Sequence, residues 1–306
     1  MTESDVPLVL ARWLHFIGLM VAFGASLFPF YAMPGEPLEG FPFQAATDRI
    51  VRSCAYLALA GGLGWVMASI AFIADDACLL FERRTLGGFF FETSFGPVWI
   101  LRLGLLGALA ALAGTLPRGG RASTRRALIA LVAACGLASQ AWLGHAAMAD
   151  GGKLGAELAS YIVHVLAAGA WIGALVPLAM LSADQRLAGG GAGSSACSTI
   201  LLRFSTVGVV LVLAILASGI ANGVFRLASV HDLLATDYGY AILTKVFLFS
   251  LMVAVAAVNR WRLLPAIAAD GERPLRALRR NILIEQTLAV LVLLVAAILG
   301  ILPPRI

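Results

Sequence analysis

Residues 161–177 read YIVHVLAAGAWIGALVP, an apolar run carrying one ionisable side chain, His164, with Gly173 nine positions later and Pro177 four beyond that. A histidine inside an apolar helix is costly to bury and calls for a physical reason. The first apolar run of the chain follows the same plan: His15, then Gly24 nine positions later, then Pro29. Two histidines in matched positions point to one shared reason.

The rest of the chain is written for the same surroundings. Of 306 residues, 60% are hydrophobic and 13% charged, and the mean hydropathy is +0.92. That composition belongs to a polytopic membrane protein rather than a soluble domain. A helix needs ~20 apolar residues to cross a bilayer. Eight spans of this kind are expected, at Pro7–Ala32, Ile50–Ala74, Gly96–Leu116, Arg126–Met148, Glu157–Leu181, Ile200–Asn222, Gly239–Val258 and Ile282–Leu302. The predicted fold class is therefore an all-α integral membrane protein of eight transmembrane helices. The runs are continuous rather than alternating, which argues against a β-barrel. So little sequence lies between them that no sizeable soluble domain is expected.

The net charge of +5 follows from loop composition rather than from nucleic-acid binding. Arg49, Arg52, Arg118, Arg121, Arg125, Arg126, Arg186, Arg203, Arg260, Arg262, Arg273, Arg276, Arg279 and Arg280 fall on one side of the eight-span arrangement. Only Arg83, Arg84, Lys153, Arg226 and Arg305 fall on the other. Basic loops stay in the cytoplasm, so both termini are expected to lie outside. Glu3 and Asp5 stand where a signal peptide would be basic, so the first span is expected to be retained. Cys54, Cys78, Cys135 and Cys197 are scattered without Cys-x-x-Cys pairing and read as small core residues.

A second correspondence joins the histidine helices. The third span begins Thr93-Ser-Phe95-Gly96 and reaches Arg102; the seventh begins Thr236-Asp-Tyr238-Gly239 and reaches Lys245. Threonine, aromatic, glycine and basic residue recur at one spacing. The first three spans thus read as repeated in the fifth to seventh, as two parallel four-helix repeats of about 7–148 and 157–302. By chain segment, 1–181 holds the first four helices and the fifth, and 182–306 the remainder. Both form one membrane domain over 1–306. Gly189–Ser195 reads as a flexible linker between the halves.

The candidate chemistry rests on histidine. His15 and His164 are set at similar depth, and the fourth span ends Trp142-Leu-Gly-His145-Ala-Ala-Met148. Neutral imidazole ligates copper, zinc and iron, and a thioether one helical turn from an imidazole suits Cu(I). His15, His145, His164 and Met148 are therefore the candidate metal ligands. For any one of these histidines, a hydrogen-bonded packing role is the simpler reading, and Met148 reads equally well as an apolar interface residue. His231 reads as a solvated loop residue. Arg102 and Lys245 read as snorkelling basic residues or as pairing groups that fix the halves. Glu285 reads as a structural partner for Arg260 or Arg280. No nucleophile–base arrangement, Walker loop or His-Glu-x-x-His is present, so an enzyme is not expected.

These residues also carry a resemblance. Trp142-Leu-Gly-His145-Ala, the series His164, Trp171, Gly173 and Pro177, Thr236-x-Tyr-Gly239 with Lys245, Asn259-Arg260, and Glu285 together resemble the copper resistance protein D family of bacterial inner-membrane proteins. The resemblance runs the length of the chain. It implies copper movement across the cytoplasmic membrane, generally import, with copper ion as cargo and a small periplasmic copper-binding partner of the copper resistance protein C type. Two other readings of the histidines remain: a membrane b-type cytochrome with histidine-ligated haem, and a copper-binding sensor or assembly factor.

Overall fold

The computed structural model describes residues 5–33, 43–74, 80–115, 121–143, 153–183, 192–227, 229–269 and 272–303. His145, Met148 and Cys78 lie outside the described residues.

Eight of the described helices are long and apolar enough to span a bilayer. They are α1 (Asp5–Ala32), α2 (Phe43–Ala74), α4 (Gly96–Gly114), α5 (Arg121–Ala138, continued by a 3-10 turn over Ser139–Leu143), α6 (Lys153–Ser182), α7 (Ala192–Arg226), α9 (Asp237–Val258) and α11 (Glu272–Leu299). Short helices α3 (Arg83–Gly87), α8 (Asp232–Ala235) and α10 (Leu264–Ala269) complete the described set. Each expected span is present, and most begin earlier than hydropathy alone predicts. The extra turns carry polar residues that the apolar count leaves out, such as Gln44 and Thr47 in α2 and Arg273, Arg276, Arg279 and Arg280 in α11. More than half of the expected linker belongs to a helix, because α7 already begins at Ala192. The phenylalanine-rich segment forms α3 and a π-helical turn over Gly88–Glu92; it buries Phe89 and exposes Phe91.

The two histidine helices form the centre. α1 packs on α2, α5, α6, α7 and α11, and α6 packs on α1, α2, α5, α7 and α11. A helix that is apolar all round is one that neighbours surround, and α1 is buried without a break from Gly18 to Ser26. One apolar core gathers mainly residues of α1, α2, α4 and α5; a second gathers mainly α6, α7, α9 and α11.

α1 and α6 cross at their matched glycines. A Cβ on Gly24 would lie 2.3 Å from the Gly169 carbonyl oxygen and 2.7 Å from Gly173 Cα. One on Gly173 would lie 2.2 Å from the Met20 carbonyl oxygen and 2.8 Å from Gly24 Cα. Only glycine permits backbones to meet this closely, the small-residue solution to helix packing in lipid.

The cysteines divide: Cys197 is buried, Cys54 half-buried and Cys135 exposed on the outer face of its helix, so the expectation of small core residues does not extend to Cys135. Met20 and Met252 are buried in the core, and Met67 is partly buried against it.

Candidate functional site

The repeated threonine–glycine sequences set the position of the two basic residues. Thr93 Oγ1 donates to the Phe89 carbonyl and accepts from Gly96 N at 3.2 Å. Thr236 Oγ1 donates to the Asp232 carbonyl and accepts from Gly239 N at 2.9 Å. A threonine that satisfies an orphan N–H fixes where a helix starts. Six residues further along, each helix presents its basic side chain to a histidine.

In the first half, Arg102 Nη2 lies 2.8 Å from His15 Nε2. His15 Nδ1 lies 2.8 Å from the Ala58 carbonyl. A carbonyl only accepts and a guanidinium only donates, so the tautomer is forced: Nδ1 carries the proton and Nε2 is the bare acceptor. Arg102 also donates to the Gly136 carbonyl at 3.1 Å and to Ser139 Oγ at 2.8 Å. Its guanidinium carbon sits 5.3 Å from the Trp65 ring centroid and 5.4 Å from that of Trp99. Trp65 stands edge-on to His15 at 5.6 Å. Arg12 closes the assembly, stacked 4.7 Å over Trp65 and donating to the Gly300 carbonyl at 2.9 Å. His15 is 0% and Arg102 1% exposed. Arg102 therefore does not snorkel; it takes the pairing role that the sequence also allowed, with three acceptors on two other helices.

The second half repeats the plan more loosely. His164 Nδ1 lies 3.2 Å from Ser218 Oγ. The Ser218 hydroxyl donates to the Ala214 carbonyl at 2.5 Å, so its lone pair receives the imidazole N–H. That leaves Nε2 bare, facing Lys245 Nζ at 3.4 Å, a long and weak contact. His164 and Lys245 are half-buried.

The helix beneath each imidazole is also in register. A Cβ on Gly62 would lie 3.3 Å from His15 Nδ1 and 3.6 Å from its Cε1; one on Gly219 would lie 3.7 Å and 3.5 Å from the same atoms of His164. Counting three residues on from these glycines aligns Trp65 with Asn222. Counting three on from the helix-start glycines aligns Trp99 with Ile242. The two indoles that enclose the first pair are thus an amide and an aliphatic side chain at the second. Asn222 Oδ1 is buried and has no hydrogen-bond partner among the described residues. The helices differ likewise: α2 packs along α4, whereas α7 and α9 share no comparable interface among the described residues.

Of the four expected metal ligands, then, the structure places His15 and His164 each against a basic residue of its own half. His145 and Met148 lie outside the described residues. Among the described residues no three His, Cys, Asp or Glu side chains gather as a metal cluster. Sequence reading missed Trp65, Trp99, Ser218 and Asn222. Aligning α2 with α7 on their glycines would have found Trp65 and Asn222.

A third polar group is built at the opposite end of the bundle from the described termini. Glu285 is buried and accepts from Asn259 Nδ2 at 2.7 Å, while Asn281 donates to Asn259 Oδ1 at 2.8 Å. A π-helical turn over Asn259–Leu263 aims Asn259 at this carboxyl. Arg260 turns away to Ser205 Oγ at 2.8 Å, so the expected arginine pairing is replaced by an amide chain.

Residues 1–156 match the family model described as copper resistance protein D-like, N-terminal domain, and residues 198–299 the model described as copper resistance protein D. The chain is 30% identical to copper resistance protein D of Pseudomonas syringae pv. tomato, over 98% of this chain and 97% of that one. It is 25% identical to inner membrane protein YebZ of Escherichia coli (strain K12), over 96% and 97%. It is 28% identical to copper transport protein CutJ of Bacillus subtilis (strain 168), over 70% of this chain and 38% of that protein.

Proposed function

Since the chain belongs to the copper resistance protein D family, we propose that it moves copper across the bacterial inner membrane, from periplasm to cytoplasm, with His164 as a copper ligand inside the membrane. The observation that carries this reading is the bare His164 Nε2, held only by a long contact to one lysine amino group. An imidazole lone pair within a membrane span, weakly covered, is a ligand that a soft cation can claim. His145 and Met148, on one helical face by sequence, are proposed to complete the coordination with an imidazole and a thioether. His15 belongs to the same candidate set, but there a metal would have to displace a guanidinium held by three acceptors. A haem shared by His15 and His164 is less well supported, because each Nε2 faces a basic group of its own half.

Both termini are proposed to lie in the periplasm, a reading that the distribution of arginine supports, and a periplasmic copper-binding protein of the C type is proposed to deliver the ion. Labelling single cysteines placed at residues 3 and 120 with a membrane-impermeant maleimide in intact spheroplasts checks the orientation; reaction at 120 but not at 3 would reverse it. The function is tested by copper accumulation in cells and by Cu(I) retention in the purified protein. His164→Ala is expected to abolish both. Unchanged accumulation and retention in that variant would remove His164 from the copper path.

A further inference from the structure

The second half contains a basic group short of acceptors and, on the helix packed beside that of His164, an acceptor short of a donor. Lys245 Nζ has several N–H donors, and its recorded acceptor is His164 Nε2 at 3.4 Å. Asn222 Oδ1 is buried and unpartnered among the described residues, a situation that costs free energy and draws in any donor within reach. The first half shows what this position faces. Trp65, the counterpart of Asn222 in register, touches both partners of its pair, lying 5.6 Å from His15 and 5.3 Å from the Arg102 guanidinium carbon. Asn222 also follows Ser218 by one helical turn, ~6 Å along the axis, and Ser218 already touches His164. A second position for Lys245 requires that its head, carried on four methylenes, cross that turn by changing rotamers.

We propose that Lys245 is a two-position gate. In one position its amino group covers His164 Nε2, as in this structure; in the other it bonds Asn222 Oδ1 and leaves the imidazole nitrogen open. The first half has no such second position: its basic residue is held by the Gly136 carbonyl and Ser139 Oγ, and indoles fill the space around it. One pair is a fixed strut, and the other is its releasable copy. That copper takes the opened nitrogen rests on the function proposed above; the gate itself does not.

The gate is tested without metal. Purified full-length protein in detergent is treated with diethylpyrocarbonate, which acylates bare imidazole nitrogen, and modification of His164 and His15 is followed by peptide mass analysis. His164 is expected to react several-fold faster than His15. Asn222→Leu removes the second position, so His164 modification should slow about tenfold, the worth of one ordinary hydrogen bond. Asn222→Asp holds the lysine away more firmly and should speed it, as should Lys245→Met. Opposite responses from two substitutions at one site cannot come from general loosening of the fold. Equal rates in wild type, Asn222→Leu and Asn222→Asp would overturn the gate. A Cu(I) titration against a chromogenic chelator separates the two readings: Lys245→Met should tighten retention and His164→Ala abolish it. The predicted acylation pattern without that copper response would sink the copper role and leave the gate standing.

Discussion

Removing the Arg102 guanidinium would leave His15 Nε2 as a buried acceptor with no donor, and would strip two indoles of the cation they contact. A stranded buried acceptor costs ~1–3 kcal/mol, and lost cation–π contact adds to it. Arg102→Leu is therefore expected to destabilise the protein by about 3 kcal/mol, read as a lowered thermal midpoint in detergent. Lys245→Leu breaks only a long contact between half-buried groups, and its midpoint should stay close to wild type. Equal losses in the two variants would contradict the division between a fixed and a releasable pair. His15 and Arg102 were each visible in the sequence, but their contact was not. They are 87 positions apart, and helix periodicity reports which face a residue occupies, not which neighbour that face meets. Glu285 shows the same limit: arginine was the expected partner on charge, whereas the fold supplies Asn259, itself held by Asn281 and set at a π-helical turn that no simple pattern announces.

At the level of helices, glycines separate by what a methyl group would strike. At Gly24 and Gly173 it would meet backbone atoms at 2.3 Å and 2.2 Å. The helices would have to part, and each glycine-to-alanine change is expected to cost about 1–3 kcal/mol as overpacking does. Gly104 and Gly107 of α4 have no atom within 4 Å of the added carbon. Gly104→Ala and Gly107→Ala should stabilise by up to ~1 kcal/mol through helix propensity alone. Thermal unfolding of these four single variants tests the contrast. The histidine-to-glycine spacing of nine was legible in the sequence, because both members lie on one helix. That the two glycines face one another was not legible, because it depends on how α1 and α6 pack. Asn222 went unnoticed for a different reason: an asparagine near a helix end reads as a solvated residue until the neighbouring helix is in place.

Across the whole molecule the two halves use their helices unequally. α4 buries Trp99, Arg102, Leu106, Leu109, Ala110 and Ala113, whereas α9 buries only Tyr238, Gly239 and Met252. Fewer buried contacts mean cheaper local opening. Amide hydrogen exchange in detergent or nanodiscs should accordingly be faster along α9 than along α4, and comparable protection would count against an open second half. The charge distribution that orients the chain is in part also structural. Arg126, counted among the loop arginines, is buried and grips Asp48 with Nη2–Oδ2 at 2.6 Å and Nε–Oδ1 at 3.1 Å, joining α5 to α2. Fold class and helix number were therefore legible from composition, while the unequal closure of the halves was not, because it depends on which helices touch rather than on which helices exist. The Gly24–Gly173 crossing has a mechanical consequence. Where helices interlock through large side chains, turning one against the other means lifting ridges out of grooves. At the crossing point itself backbone lies directly on backbone. Such a joint resists compression, because no side chain there can change rotamer to let the two helices approach further.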